Sequence, residues 1–588
     1  MATKFKKIIL QKHKLSPQHR DNTFLYPEYS DPAFNIKIAE KLEFNNTKYD
    51  GNIELPLTND DFCHSQFELA PHQMFVRNYL SFNTPYNSML LYHGLGSGKT
   101  CSAIGICEEM RDYMKQTGIS KKIIIIASPN VQREFRTQLF DVSKLIKKPN
   151  QPWTMQTCVG TKILNEVLPM ESDLNKQELV SSINNLIDKY YHFMGYVEFA
   201  NKIAAFTSDK KLQKEYENRL VVIDEVQNIR SGQAKDIKLI ANGLKRLVST
   251  VEHMRLLFLS ATPMYDKASE IVQLLSYMNE NDGRSAINES EVFNSDGGFR
   301  KGGKELLIQK MRGYISFVRG ENPYIFPYRI YPSHFSKHSI KNLSPLPNIS
   351  LTGETLDRNI IKHIDLVVLP VTDNQLFGYR SIIEADTKIL SGGLNYDTLA
   401  KPIQALNMVY PGDLMVGNDA LTDNMKYENK TFSYKGKERF FELDNIGKYS
   451  AKIKHIGEQV SNSTGIILIY SYYLDNGLIP VALMLEELGY KKYGSPLLTS
   501  RTTEIGKYII ITSDPRYHSN LDVIERVKAE DNLRGEKIKV VLISMAGSEG
   551  VDFKNIRQIH ILDPWFNMSR IEQIIGRGVR TCSHKMLP

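Results

Sequence analysis

Most apolar residues in this chain fall in short unbroken runs, each closed by a turn of small or polar residues and then by a segment with helical spacing. Met89–Tyr92 leads into a glycine-rich loop and the apolar segment beginning Cys101-Ser102-Ala103-Ile104. Ile123–Ile126 leads into Ala127-Ser128-Pro129-Asn130 and a helix expected from Val131 to Phe140. Leu220–Ile223, Leu256–Leu259, Ile466–Tyr470, Val540–Ile543 and Ile559–Leu562 are further runs of the same kind. Unbroken runs mark strands buried on both faces, as in parallel sheets whose crossovers are helices. The pattern therefore predicts an α/β protein of parallel sheets covered by helices. Near the far end, Ile571, Ile574 and Ile575 share one face of a helix-like segment from Arg570 to Arg580, and Gln573, Arg577 and Arg580 share another.

Two stretches break the pattern. Residues 1–66 mix Asn, Asp, Pro and Tyr among short segments, with a helix expected around Phe34–Leu42, and read as an N-terminal extension that docks on the neighbouring domain. Residues 281–440 read as a linker: Arg300, Lys301, Lys304, Lys310, Arg312 and Arg319 make its first part basic, with Leu306, Leu307, Met311 and Ile315 as a helical stripe. Within it, 385–440 collects Gly, Asn and Asp and reads as an insertion. The expected domains are thus 1–66, 67–280, 281–440 and 441–588.

Composition narrows this little. A chain of 588 residues exceeds a single core, and 41% hydrophobic with 24% charged residues is ordinary globular material. A net charge of +8 permits a polyanionic partner without demanding one. The five cysteines, Cys63, Cys101, Cys107, Cys158 and Cys582, contain no C-x-x-C pair. They suggest neither a zinc framework nor a disulfide set, and point to a reducing compartment. No apolar run reaches the ~18–20 residues of a membrane span, so a soluble intracellular protein is expected.

The chemistry gathers at the ends of the predicted strands. His93-Gly94-Leu95-Gly96-Ser97-Gly98-Lys99-Thr100 joins a strand to a helix, the context of a phosphate-binding loop, with His93 where the usual pattern begins with Gly. Gly94, Gly96 and Gly98 let the backbone wrap a polyphosphate alongside Ser97, Lys99 reaches the phosphates, and Thr100 ligates Mg²⁺. Upstream, the Gln73 amide is placed to read a base. The Asp224-Glu225 pair after Leu220–Ile223 suits metal binding by Asp224 and activation of water by Glu225. Ser260-Ala261-Thr262 reads as a coupling element. Ser128, Asn130, Arg133 and Arg136, and the comparable turn Thr161-Lys162, lie where α/β sheets place their sites.

The order HGLGSGKT, SPN, DEVQ, LSATP, SMAGSEGVDF and RIEQIIGRGVR resembles the superfamily 2 helicases and translocases, from Gln73 to Arg580. His93-Gly94, Phe193–Phe199, Arg319–Pro323 and Arg580–His584 resemble the Snf2-like branch of large DNA viruses, which includes the poxvirus early transcription factor small subunit and nucleoside triphosphate phosphohydrolase I. The resemblance implies two tandem RecA-like lobes, with ATP and Mg²⁺ as the bound species. It implies Arg577 and Arg580 as arginine fingers beside Gln573, and Gly550 and Asp552 near the nucleotide. Ser128, Asn130, Arg133, Thr161, Lys162, Ser471 and Ser544 would grip a nucleic-acid backbone, duplex DNA being favoured. A viral RNA polymerase or transcription factor subunit is the implied partner, and no membrane. A strand-separating helicase and an ATP-binding scaffold are the alternative readings. The second lobe is expected to lack closing elements, or the chain to be a fragment.

Overall fold

The computed structural model describes residues 26–49, 69–94, 96–147, 153–155, 157–168, 175–229, 235–264, 267–319, 326–343, 348–349, 355, 365–386, 389, 396–413, 415–499, 503–520, 522–545, 551–565, 568–580 and 582–587. The chain divides into two compact units, residues 1–321 and 322–588.

The first unit holds six strands: β1 (Ser88–His93), β2 (Ile123–Ile126), β3 (Tyr191–Met194), β4 (Leu220–Ile223), β5 (Arg255–Ser260) and β6 (Ile315–Val318). They pair in the order β3-β2-β4-β5-β1-β6, all parallel. Side chains alternate between two cores. Met89, Leu91, Ile123, Ile125, Leu220, Val222, Leu257 and Leu259 pack on one side. Leu90, Ile124, Ile126, Val221, Ile223, Leu256 and Phe258 pack on the other. Burial on both faces is why these runs are unbroken. The helices that position the site are α1 (Pro71–Tyr79), α2 (Lys99–Thr117), α3 (Pro129–Leu139) and α4 (Lys162–Val167), and α5 (Gly303–Met311) precedes β6. Of the N-terminal stretch, Phe34–Glu40 is helical, and Phe34 and Ile38 lie in the first core.

Two expectations change here. The stripe through Leu306, Leu307, Met311 and Ile315 is not one helix, because α5 stops at Met311 and Gly313 adopts a left-handed φ of 79°. Ile315 then opens β6, which extends the first sheet. The expected linker is thus divided between the units, with 281–321 belonging to the first. The cysteines also change: Cys101 and Cys158 form a disulfide across 57 residues of sequence, a separation at which no spacing rule reveals the pairing.

The second unit carries an antiparallel hairpin, β7 (Met425–Glu428) and β8 (Thr431–Tyr434). Its parallel sheet holds β9 (Ile466–Tyr470), β10 (Tyr490–Lys492), β11 (Gly506–Ile511), β12 (Val540–Ile543) and β13 (Ile556–Ile561), in the order β10-β11-β12-β9-β13. The stretch read as an insertion is part of this unit's core. Helix α6 (Tyr396–Asn407) leads to Met408, Val409 and Tyr410, all fully buried with Ala405, Leu421, Met425 and Phe432. Phe326–Leu343 forms a strap, clasped where Asp365 accepts hydrogen bonds from the Ser333 and Ser339 hydroxyls at 2.6 and 2.9 Å. Helix α7 (Met568–Ile575) buries Ile574 among Ile466, Leu468 and Ile556. Each unit is an α/β domain built on a parallel sheet.

Candidate active site

In the first unit, the carboxyl ends of β4, β5 and β1 lie side by side and carry most of the predicted chemistry. The motif's first position is not in the loop at all. His93 is the last residue of β1, fully buried, with Nε2 2.9 Å from Ser316 Oγ and its ring edge-on to His72. Burial pushes its imidazole down to about 3, so it is neutral at physiological pH. The close approach that demands glycine comes one residue later: a Cβ on Gly94 would stand 2.5 Å from the Arg319 carbonyl oxygen of the strand-end neighbour. Gly96 and Gly98 both adopt φ 76°, and Gly98 caps α2, which presents Lys99 and Thr100 on its first turn. The Ser97 hydroxyl donates to the Gly94 carbonyl at 2.7 Å and tightens the loop.

Helix α1 braces this loop. Gln73 donates to the Gly98 carbonyl at 3.2 Å and accepts from the Ala70 amide at 3.0 Å, so both ends of the amide expected on a base are engaged within the protein. His72 Nε2 donates to the Ser97 carbonyl at 3.1 Å, a contact with no signal in the sequence.

Opposite the loop, Glu225 Oε1 stands 3.7 Å from Lys99 Nζ. Asp224 is buried at the end of β4, and burial, then the neighbouring Glu225 charge, push its carboxyl up to about 7 against the pull of Lys99. Glu225 occupies a left-handed conformation, φ 46° and ψ 53°, which costs a non-glycine residue roughly 1–2 kcal/mol. A hydrogen-bonded chain holds it there. Gln227 donates to Glu225 Oε2 at 2.6 Å, Ser260 donates to Gln227 Oε1 at 2.7 Å, and Ser260 Oγ accepts from the Thr262 amide at 2.9 Å. The Tyr196 hydroxyl donates to the Asp224 carbonyl at 2.7 Å. The acids are therefore tied physically to Ser260-Ala261-Thr262.

The expected nucleic-acid residues of this unit fare unequally. Ser128 and Asn130 are half-buried at the start of α3, with Arg133 exposed one turn on. Arg136 pairs with Asp188 at 2.5 Å. Thr161 is exposed ahead of α4, whereas the Lys162 ammonium is held by Asp112 at 2.6 Å and Glu108 at 3.2 Å. Its charge serves a network on α2 that also contains Arg111, Glu166 and Tyr191.

In the second unit, Arg577 and Arg580 are not on the helix, contrary to the expectation of one segment to Arg580. Helix α7 ends at Ile575, where two glycines, Gly576 and Gly578, disfavour continuation. Gly578 lies against Ile556, where a Cβ would meet side-chain atoms at 3.2 Å. Gln573 remains on α7, and the arginines come after it on a turn. Both converge on Asp552: Arg580 pairs with its carboxylate directly, and Arg577 Nη1 stands 3.7 Å away. The Phe553 amide donates to the Arg577 carbonyl at 2.8 Å, fixing the two segments together. Gly550 lies outside the described residues.

Ser471, expected on a nucleic-acid backbone, is fully buried and donates to Asp563 Oδ1 at 2.5 Å. The same carboxylate accepts from Asn407 at 3.0 Å and from the Tyr472 amide at 2.7 Å. In this structure Ser471 is an internal strut. Ser544, at the end of β12, is also buried.

Comparison with known proteins agrees with this architecture. The SNF2-related domain matches residues 72–312, and the helicase conserved C-terminal domain matches residues 499–582. A protein of Acanthamoeba polyphaga mimivirus, provisionally named an ATP-dependent RNA helicase, is 28% identical over 575 residues, covering 95% of this chain and 86% of its own. A second mimivirus protein with the same provisional name is 25% identical over 619 residues, covering 90% of this chain and 51% of its own. The early transcription factor large subunit homolog of African swine fever virus is 21% identical over 632 residues, covering 89% and 53%. The chain thus spans about half the length of the latter two relatives. Among the described residues, no helix is long and apolar enough to cross a membrane.

Proposed function

We propose that this chain is an ATP hydrolase of the Snf2-like branch of the superfamily 2 helicases and ATPases, and that it couples hydrolysis to translocation along duplex DNA in viral transcription; the matches to the SNF2-related and helicase C-terminal domains support the reading. The observation that carries the reading is the approach of Lys99, on the first turn of α2, to Asp224 and Glu225 at the end of β4. A left-handed glycine loop at a helix N-terminus fits a polyphosphate, and a buried acid whose charge is underpaired fits a divalent cation.

Lys99 binds the β- and γ-phosphates, and the loop amides orient them. Thr100 and Asp224 would hold Mg²⁺, which neutralises phosphate charge when bound. Glu225 accepts the proton of the attacking water, its side chain aimed by Gln227. Arg577 and Arg580 stabilise charge developing on the transferred phosphoryl group, which requires them to exchange Asp552 for that charge. The Gln227–Ser260–Thr262 chain links the acids to the segment after β5 and offers a route from nucleotide state to the rest of the unit. Ser128, Asn130, Arg133 and Thr161 contact the phosphate backbone, without sequence preference.

The provisional names of the mimivirus relatives favour one rival, a strand-separating helicase on RNA. The two readings separate in one assay with ATP and full-length protein. A translocase displaces a triplex-forming third strand and leaves the duplex annealed. A helicase instead releases one strand of a tailed duplex, and that outcome alone would overturn the translocase reading.

A further inference from the structure

The arginine-bearing turn is held by one short helix. At eight residues, α7 is below the length at which a helix is stable by itself, so its orientation is set by what it packs against. On its inner side that is Ile574 in the sheet core. On its outer side, Glu572 Oε2 accepts from Arg329 Nη1 at 2.9 Å. Glu572 adjoins Gln573 and lies five residues before Arg577.

Arg329 belongs to the strap, the first described segment after the chain passes from unit 1 into unit 2. The strap is itself anchored. Phe326 is 9% exposed, and Asp365 clasps Ser333 and Ser339. The Ile340 amide donates to the Leu366 carbonyl, and the Val368 amide to the His338 carbonyl, both at 2.8 Å. The Arg329 side chain is 18% exposed and that of Glu572 37%, so the pair is half-buried on the Arg329 side only. Tyr328 and Ile330, on either side of it, are 88% and 63% exposed; Arg329 is the inward-facing residue of the three.

We propose that Arg329 is a positioning residue for the arginine fingers: through Glu572 it fixes the angle of α7, and so the reach of Arg577 and Arg580. The inference rests on the proposed roles of those two arginines. A displacement of about 1 Å at a reacting group costs up to about 100-fold in rate, so loosening this pair acts on turnover while leaving the phosphate loop of unit 1 untouched.

The test is a charge swap in the full chain: Arg329→Glu, Glu572→Arg and both together, with Arg329→Lys as the conservative variant. Each single swap is expected to lower DNA-stimulated kcat by ~10- to 100-fold with KM for ATP within about twofold. The double swap and Arg329→Lys are expected to recover most of the loss. Single swaps that leave kcat unchanged, or a double swap as impaired as the singles, overturn the proposal. Hydrogen exchange across residues 568–580 gives a readout independent of turnover: the single swaps speed it and the double swap restores it. Unchanged exchange in the single swaps also overturns it. Wild-type turnover that Glu225→Gln does not abolish would instead count against the proposed function.

Discussion

The two units treat their charged groups in opposite ways. In unit 1, Asp224 is buried with its carboxyl raised to about 7, and Lys99 and Glu225 face one another at 3.7 Å, outside hydrogen-bonding range. Asp224 thus sits where its charge is costly, the condition in which a cation gains most by arriving. In unit 2, Arg580 pairs directly with Asp552, and Arg577 Nη1 stands 3.7 Å from the same carboxylate. The first cluster is framed by strand ends, while the second follows a short helix. Under the proposed function, binding falls to the first unit and a contribution to turnover to the second.

The largest effect expected to break this comparison is on turnover alone. Arg577→Ala should lower stimulated kcat by about 10³-fold or more, with binding of a non-hydrolysable ATP analogue to the chain unchanged. Equal loss of binding would place Arg577 with the phosphate loop instead. A smaller effect tests the frame around Glu225. Ser260→Ala leaves Gln227 without its donor, and should cost about 1 kcal/mol, roughly fivefold in kcat. The smallest concerns the stored charge. Asp224 ionises near 3.8 when unfolded and at about 7 when folded, so the folded state binds the extra proton between those values and loses stability as pH rises through them. Asp224→Asn should therefore raise the nucleotide-free melting temperature by at least about 2 °C at pH 8, with the gain vanishing near pH 4. Equal shifts at both pH values would show that the charge is not the cause.

How far the chain could be read from its sequence depends on the range of the signals. Ile123–Ile126 and Leu220–Ile223 announce themselves because a strand buried on both faces has no polar positions. The glycine loop leading into α2 is legible because its residues are contiguous. Tyr508–Ile511 in β11 carries the same apolar signal, yet the sequence reading has no strand there. What escaped otherwise depends on distant partners. Lys162 looks free until Asp112 and Glu108 arrive from another helix, and Ser471 looks like an exposed strand end until Asp563 closes over it. Gln73 sits near the phosphate loop as expected, but its amide braces Gly98. The stretch 385–440 reads as an insertion because the core residues it contributes are spaced among Gly, Asn and Asp, without a sustained period. The arginines' shift from helix to turn is visible in Gly576 and Gly578, whose weak helix propensity the regular Ile571–Ile575 spacing obscures.

The most direct test of the central claim is steady-state ATP hydrolysis by the full chain, with and without duplex DNA, beside Glu225→Gln. The account predicts stimulation by duplex DNA in the wild type and loss of ~10²- to 10⁴-fold in the variant, with ATP binding retained. Turnover that is unaffected by Glu225→Gln, or an absence of turnover with every nucleic acid while ATP still binds, would contradict it.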